Sequence, residues 1–226
     1  DSDVEYYQSN GSSVANVVAD IEDVMNEVAL IYENQLSLTF EITTILVRTV
    51  EPDPYTSTNN QTLLSQFVTE WNLNRTMIHR DIAHLMTGKD IIGNIVGSSH
   101  SGTICDVCGN ARGYGFSQSL FTFSLPMRAC LTAHELGHNF GAAHCDSDSD
   151  CYIMCSVLGA CGGSCTQFGT RSLNTIPSSV NSAVCLSTLA PPVNLPFCDA
   201  FQGTVDSALW SYNAGVSAVT PPVPAP

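Results

Sequence analysis

His134-Glu135-Leu136-Gly137-His138-Asn139-Phe140-Gly141-Ala142-Ala143-His144 is the stretch on which the reading of this 226-residue chain turns. It matches H-E-x-x-H-x-x-G-x-x-H at every fixed position. At the chain's own frequencies of His, Glu and Gly, such a match arises by chance in about one sequence in a hundred thousand. Residues four apart on a helix share a face, so the imidazoles of His134 and His138 can reach one ion with Glu135 beside it. Gly141 supplies the backbone freedom to end that helix and swing His144 to the same point. Three nitrogen ligands leave the fourth tetrahedral position for water, which suits zinc. Three imidazoles converging without a cation would repel when protonated and waste hydrogen-bonding capacity when neutral. The isolated His79, His84 and His100 read instead as ordinary core residues. Glu135 is the last glutamate in the chain, so no downstream glutamate is available as third ligand and His144 takes that place.

Outward from this motif, Leu125-Pro126 opens a helix, with Pro near the first turn where a missing N–H is harmless. Upstream, Val14 to Leu36 carries Val17, Ile21, Val24, Val28 and Ile31 at helical spacing behind the capping candidates Ser12 and Ser13. Leu38 to Val50 is dense in β-branched residues and predicts a strand that stops at Pro52 and Pro54. Thr62 to Leu73 predicts a second helix, and 81–86, 94–99 and 114–117 predict short strands. That order predicts an α/β (α+β) domain with a mixed sheet. Residues 145–170 are rich in Gly, Ser, Asp and Cys and predict irregular chain stapled by disulfides; 174–184 predicts a last helix. Prolines at 191, 192 and 196 predict a linker over 189–196, and 197–226 reads as the truncated start of a further β-rich module, so the chain reads as a fragment of a larger precursor.

Seven basic residues against 21 acidic ones leave a net charge of −14, which repels phosphate backbones and anionic bilayers and excludes nucleic acid as a partner. No apolar run approaches the roughly 20 residues that span a membrane. With 44% hydrophobic residues the chain can bury a core. Ten cysteines, an even number, predict five disulfides and hence a secreted, already processed protein. The competing reading of the cysteines is a zinc site built from Cys105 and Cys108 with Cys161 and Cys165, although the second pair has the wrong spacing for a zinc ribbon. Three glycosylation sequons, at Asn10, Asn60 and Asn74, decide nothing about origin. Asp146-Ser147-Asp148-Ser149-Asp150 opens like an EF-hand loop, but Cys151 and Val157 replace its turn glycine and bidentate glutamate, and a solvated turn is the better reading.

With the motif and the Cys151-Tyr152-Ile153-Met154-Cys155 segment ten residues beyond it, the chain resembles the metzincin zinc endopeptidases, and among them the adamalysin/reprolysin group of snake-venom metalloproteinases and ADAM proteases. The resemblance covers about residues 1–188 and is most specific over 134–155. It implies a metzincin fold with a mostly parallel sheet and an antiparallel edge strand. An upper part, 1–141, and a small disulfide-rich lower part, 142–188, would flank a cleft. It implies Met154 as the residue of the turn beneath the zinc, and an extended peptide substrate paired with the edge strand at Asn94, Ile95, Val96, Gly97 and Ser98. Cys155, Ser156 and Val157 would line the pocket for the side chain after the cut bond. It also implies a Cys105–Cys185 bridge and a calcium site at Asp81, although Thr188 stands where the family has asparagine. One departure is Cys145, which separates His144 from Asp146, whereas the family's aspartate directly follows the third histidine.

These readings together predict a secreted, monomeric zinc endopeptidase acting on protein or peptide substrates, with Glu135 as general base and one catalytic Zn²⁺. The alternative is a non-enzymatic adhesion module that keeps the fold. Its usual sign is loss of the glutamate or a histidine, and all four groups are present here.

Overall fold

The computed structural model describes residues 1–161 and 163–186 together with a strand at Val216–Val219. The linker predicted at 189–196 and the predicted C-terminal module, apart from that strand, lie outside the described residues.

Six residues, Val4–Ser9, form α1, a helix the periodicity did not announce; Asp3 caps it by accepting from the Tyr6 N–H at 2.9 Å. Helix α2, Val14–Leu36, is capped by Ser13 and buries its Val17, Ile21, Val24, Val28 and Ile31 stripe. The predicted strand 38–50 contracts to β1, Ile45–Arg48. Residues 38–44 pair with no strand among the described residues, and β propensity makes no strand without a ladder partner. Helix α3 is Asn60–Asn74, capped by Asn59. Strands β2 (Ala83–Met86), β3 (Gly97–Ser99) and β4 (Tyr114–Ser117) form a sheet in the order β2, β4, β3, with β2 parallel and β3 antiparallel to β4. Ser2 makes parallel bridges to Val47 and Met86, which links β1 to β2 through the chain's first residues. Its N–H donates to Leu46 O, and Met86 N–H donates to Asp1 O, both at 2.9 Å. The mixed sheet with an antiparallel edge is thus as expected. Strand β5, Val216–Val219, lies antiparallel to β1.

Alternation along these strands feeds two cores. Ile45, Val47 and Met86 join α2 on one face. Leu46, Ala83, Leu85, Tyr114 and Phe116 join Leu63, Phe67 and Trp71 of α3 on the other. Burial on both faces explains why Ile45-Leu46-Val47 reads as a continuous apolar run rather than alternating with polar residues.

Leu125–Asn139 forms α4, with Pro126 in its first turn and nearly every residue from Arg128 to Asn139 buried. Tyr32 anchors it to α2 by donating its hydroxyl to Ala133 O at 2.9 Å. Arg128 anchors it to α1 and α2: its guanidinium donates to both Asp20 carboxylate oxygens and to the hydroxyls of Tyr6 and Ser119. Burial opposes charge on Asp20, but the bonds from Arg128 and Tyr6 outweigh it and hold the carboxyl below its ordinary range. A folded pKa below the unfolded one gives stability that is present above about pH 4 and lost as pH falls through the folded value. Replacing Asp20 by Ala would strand the Arg128 charge, whose side chain is 7% exposed. The loss for a buried pair is about 3–5 kcal/mol. Because Asp20 keeps 21% of its side-chain surface, about 2–4 kcal/mol is the better expectation, measurable by urea unfolding at pH 7 and shrinking at pH 3.

Beyond α4 the chain is irregular until α5, Thr170–Ser182. That helix begins four residues before the predicted 174, because Asp150 accepts from the Thr170 N–H at 3.1 Å and its hydroxyl at 2.6 Å, satisfying donors that the sequence pattern left open. Cys145–Cys151 and Cys155–Cys161 close short loops, Cys130–Cys165 ties the segment to α4, and Cys105–Cys185 closes 80 residues. The alternative zinc site at Cys105, Cys108, Cys161 and Cys165 falls here. All four cysteines are in disulfides, three of them with partners outside that set, so no thiolates remain to bind an ion.

Candidate metal centre

Helix α4 delivers His134 and His138 one turn apart on one face. Its C-terminal end delivers the third histidine. Phe140 caps the helix, Gly141 takes φ +87°, its N–H donates to His138 O at 2.8 Å, and Ala142 N–H donates back to Gly137 O at 2.9 Å. This is the six-to-one and five-to-two pairing that glycine makes at helix ends, where a side chain would resist the left-handed backbone. The reversal brings His144 Nε2 to 3.1 Å from the Nε2 atoms of both His134 and His138.

Two backbone carbonyls decide what those nitrogens carry. Ile153 O lies 2.7 Å from His134 Nδ1, and Ala142 O lies 2.7 Å from His138 Nδ1. A carbonyl only accepts, so each Nδ1 holds the proton and each Nε2 presents a lone pair to the common point. Burial, reinforced by the neighbouring histidines, pushes the His134 pKa down to about 3, so this ring is neutral at ordinary pH. A tetrahedral zinc with bonds of about 2.0–2.1 Å separates its nitrogen ligands by about 3.3 Å, close to the spacing found. Two fixed lone pairs and a third imidazole nitrogen converging at this range form a donor set that fits a cation. Exposure rises from buried His134 through half-buried His138 to exposed His144, so the centre opens towards solvent on the His144 side.

Glu135 points elsewhere on the same turn. It is 4% exposed, and its carboxyl accepts from the Ser99 hydroxyl of β3 at 2.7 Å. Burial, only partly offset by that bond, pushes its pKa up to about 8.

Met154 is fully buried beneath α4. A Cβ placed on Gly137 would come within 2.7 Å of Met154 Sδ, so the glycine between the two helix histidines leaves the room that the methionine fills. Ile153, next to Met154, supplies the carbonyl that orients His134, so the turn shapes the centre through its backbone as well as by packing. Gly137→Ala gains about 1 kcal/mol of helix propensity but overpacks this contact at a cost of about 1–3 kcal/mol. A net loss of about 1 kcal/mol in denaturant unfolding is expected.

Asp146 does for the lower segment what its displaced position left open. Its Oδ1 accepts from Ser156 N–H at 2.8 Å and Ser156 Oγ at 2.7 Å, which pins the chain just after Met154 and holds the Asp146 pKa down. Asp148 pairs with Arg171 and Asp150 caps α5. The three aspartates therefore serve three separate partners and not one ion. Of the residues predicted to contact substrate, Gly97 and Ser98 lie in β3, at the sheet edge; Val96 O accepts from Gln118 N–H, and Asn94 and Ile95 precede the strand. The predicted strand 94–99 thus shortens to three residues, since only 97–99 face β4 in register. In the pocket segment Ser156 and Val157 are exposed, whereas Cys155 is buried in its disulfide and offers no side chain to a pocket. Asp81 stands apart, with a buried Oδ1 that has no hydrogen-bond partner, and belongs to none of the clusters of three or more metal-binding side chains among the described residues. Thr188 lies outside the described residues.

Sequence reasoning passed over Ser99 and the Ile153 and Ala142 carbonyls, and it noticed Asp146 without finding its partner Ser156. Ser99 carried no motif, and backbone acceptors have no signature at all. Gly137 did leave a trace, since a glycine inside a helix weakens it and asks for a packing reason.

Comparison with known proteins agrees with this centre. The model of metallo-peptidase family M12 matches residues 1–183. The zinc metalloproteinase recombinant fibrinogenase II of Deinagkistrodon acutus is 36% identical over 83 residues, 37% of this chain and 30% of that protein, so the match spans less than a third of the relative's length. A cluster of three histidines at the end of a buried helix, within a match that covers most of the chain, places this protein in metallopeptidase family M12.

Proposed function

We propose that this chain is a secreted zinc endopeptidase that hydrolyses internal peptide bonds, with His134, His138 and His144 holding the ion and Glu135 as general base. The observation that carries the reading is the set of three Nε2 atoms converging on one point, two of them left with lone pairs by carbonyl-bound Nδ1 protons. Zinc held there supplies Lewis acidity, which polarises a scissile carbonyl and lowers the pKa of water from about 15.7 towards about 7. Glu135 takes the proton from the attacking water and delivers it to the departing amine, serving as base and then acid. Met154 packs under the histidines and keeps the turn from shifting. The edge of β3, unpaired among the described residues, offers backbone groups from Gly97 to an extended peptide, and Ser156 and Val157 flank the position of the side chain after the cut bond. Endoproteolysis, as opposed to trimming from an end, is supported by a site that is open along a strand edge.

Secretion is supported by the four disulfides among the described residues and by the absence there of any free cysteine. No helix among those residues is long and apolar enough to cross a membrane. The test is incubation with a denatured protein substrate, with and without a chelator, followed by mass-spectrometric mapping of the products. Internal cleavages that vanish with chelator and return with zinc are expected; chelator-insensitive cleavage, or none at saturating zinc, would overturn the reading.

A further inference from the structure

The underside of the edge strand is shaped around Glu135. Gly97 and Ser99 are two apart on β3, so strand alternation turns both towards the same face, and both meet the Glu135 side chain. Ser99 Oγ donates to Oε2 at 2.7 Å. At Gly97 there is room for no side chain: a Cβ would lie 2.4 Å from Oε1 and 2.9 Å from Cδ and Cγ. One oxygen therefore sits on a hydroxyl while the other lies against a bare Cα. Ser99 is itself backed by β4, since a Cβ on Gly115 would come within 2.8 Å of Ser99 Cβ. Among the described residues, the Ser99 hydroxyl is the only hydrogen-bond donor to the Glu135 carboxyl. A carboxyl group this deeply enclosed depends on such a hydrogen bond for its orientation, because a buried polar group without a partner is otherwise free to turn towards whatever dipole is nearest.

We propose that Ser99 is a positioning residue for Glu135: its hydroxyl holds Oε2 so that Oε1 is the oxygen left to exchange the proton with the attacking water. The inference rests on the reading of Glu135 as general base. It also joins the base to the strand edge proposed for substrate. A peptide that pairs with β3 in the plane of the sheet firms up the strand that carries Ser99, and with it the seat of the carboxyl.

Ser99→Ala removes the donor without adding volume and is expected to lower kcat about 10- to 100-fold while KM changes less than about twofold, because only the alignment of the base is lost. Ser99→Thr restores the hydroxyl on a strand-favouring residue and is expected to recover most of kcat. Zinc content, measured by elemental analysis, is expected to stay at the wild-type level in both, and a crystal structure of Ser99→Ala is expected to find the carboxyl turned away from β3. If wild-type protein shows no chelator-sensitive cleavage, the peptidase reading fails and the positioning role falls with it. If wild-type cleaves normally but Ser99→Ala keeps its kcat, loses activity through KM alone, or leaves the carboxyl unmoved, the positioning role is overturned and the peptidase reading stands.

Discussion

Glu135→Gln is expected to bind zinc with the affinity of the wild type and to hydrolyse a peptide substrate about 10²–10⁴-fold more slowly, the range that a general acid–base group contributes. The amide keeps the size and a hydrogen-bond acceptor for the Ser99 hydroxyl, so the fold and the seat under β3 persist. What it cannot do is accept a proton from water or return one to an amine. The zinc ligands remain, because Glu135 is not one of the three side chains that meet at the centre. Steady-state kinetics and zinc titration on the same preparation test both halves. Turnover within a few-fold of wild type would remove Glu135 from the role of base, and a parallel loss of zinc would show that its effect is structural.

His144→Ala is expected to act on the other half of the site. His144 Nε2 is the atom that approaches both partners at 3.1 Å, so its loss leaves two ligands one helical turn apart. Outer partners of zinc ligands are worth about 10–100-fold in affinity, and a ligand itself should exceed that, giving a loss of more than about 100-fold measured by competition with a chromogenic chelator. His144 is exposed and lies beyond the end of α4, so its removal costs little packing, and thermal stability without zinc should match that of metal-free wild-type protein. Hydrolysis should disappear at micromolar zinc. Partial recovery at high zinc would indicate that the two helix histidines still hold the ion weakly.

The two variants divide the centre along a line that the sequence already drew. His134, Glu135, His138 and His144 are legible because metal chemistry forces a spacing: four residues for one helical turn, then a glycine where the chain must reverse. The amphipathic stripe of α2 is legible for a similar reason, since a long helix packed on one side must repeat its apolar residues. The short strands were less so. The segment 38–50 has β-forming residues throughout, yet only Ile45–Arg48 found partners, in Val216–Val219 and in Ser2 near the start of the chain. Pairing is a property of two segments, and neither one announces the other.

The cluster of three histidines and the family resemblance follow from the sequence alone, because both depend on residues close together in the chain, where local helical geometry relates position to direction. The tertiary structure decided everything that joins distant segments. It brought the Ile153 carbonyl to His134 across 19 residues and Ser99 to Glu135 across 36. It also placed Met154 into the space that Gly137 leaves in the helix and replaced a conceivable cysteine–zinc site with disulfides. The physical reason is common to all of these. A buried donor, acceptor or methyl group is satisfied by whatever packing brings near it, and packing follows from the whole chain, so these partners carry no pattern of their own in the order of residues.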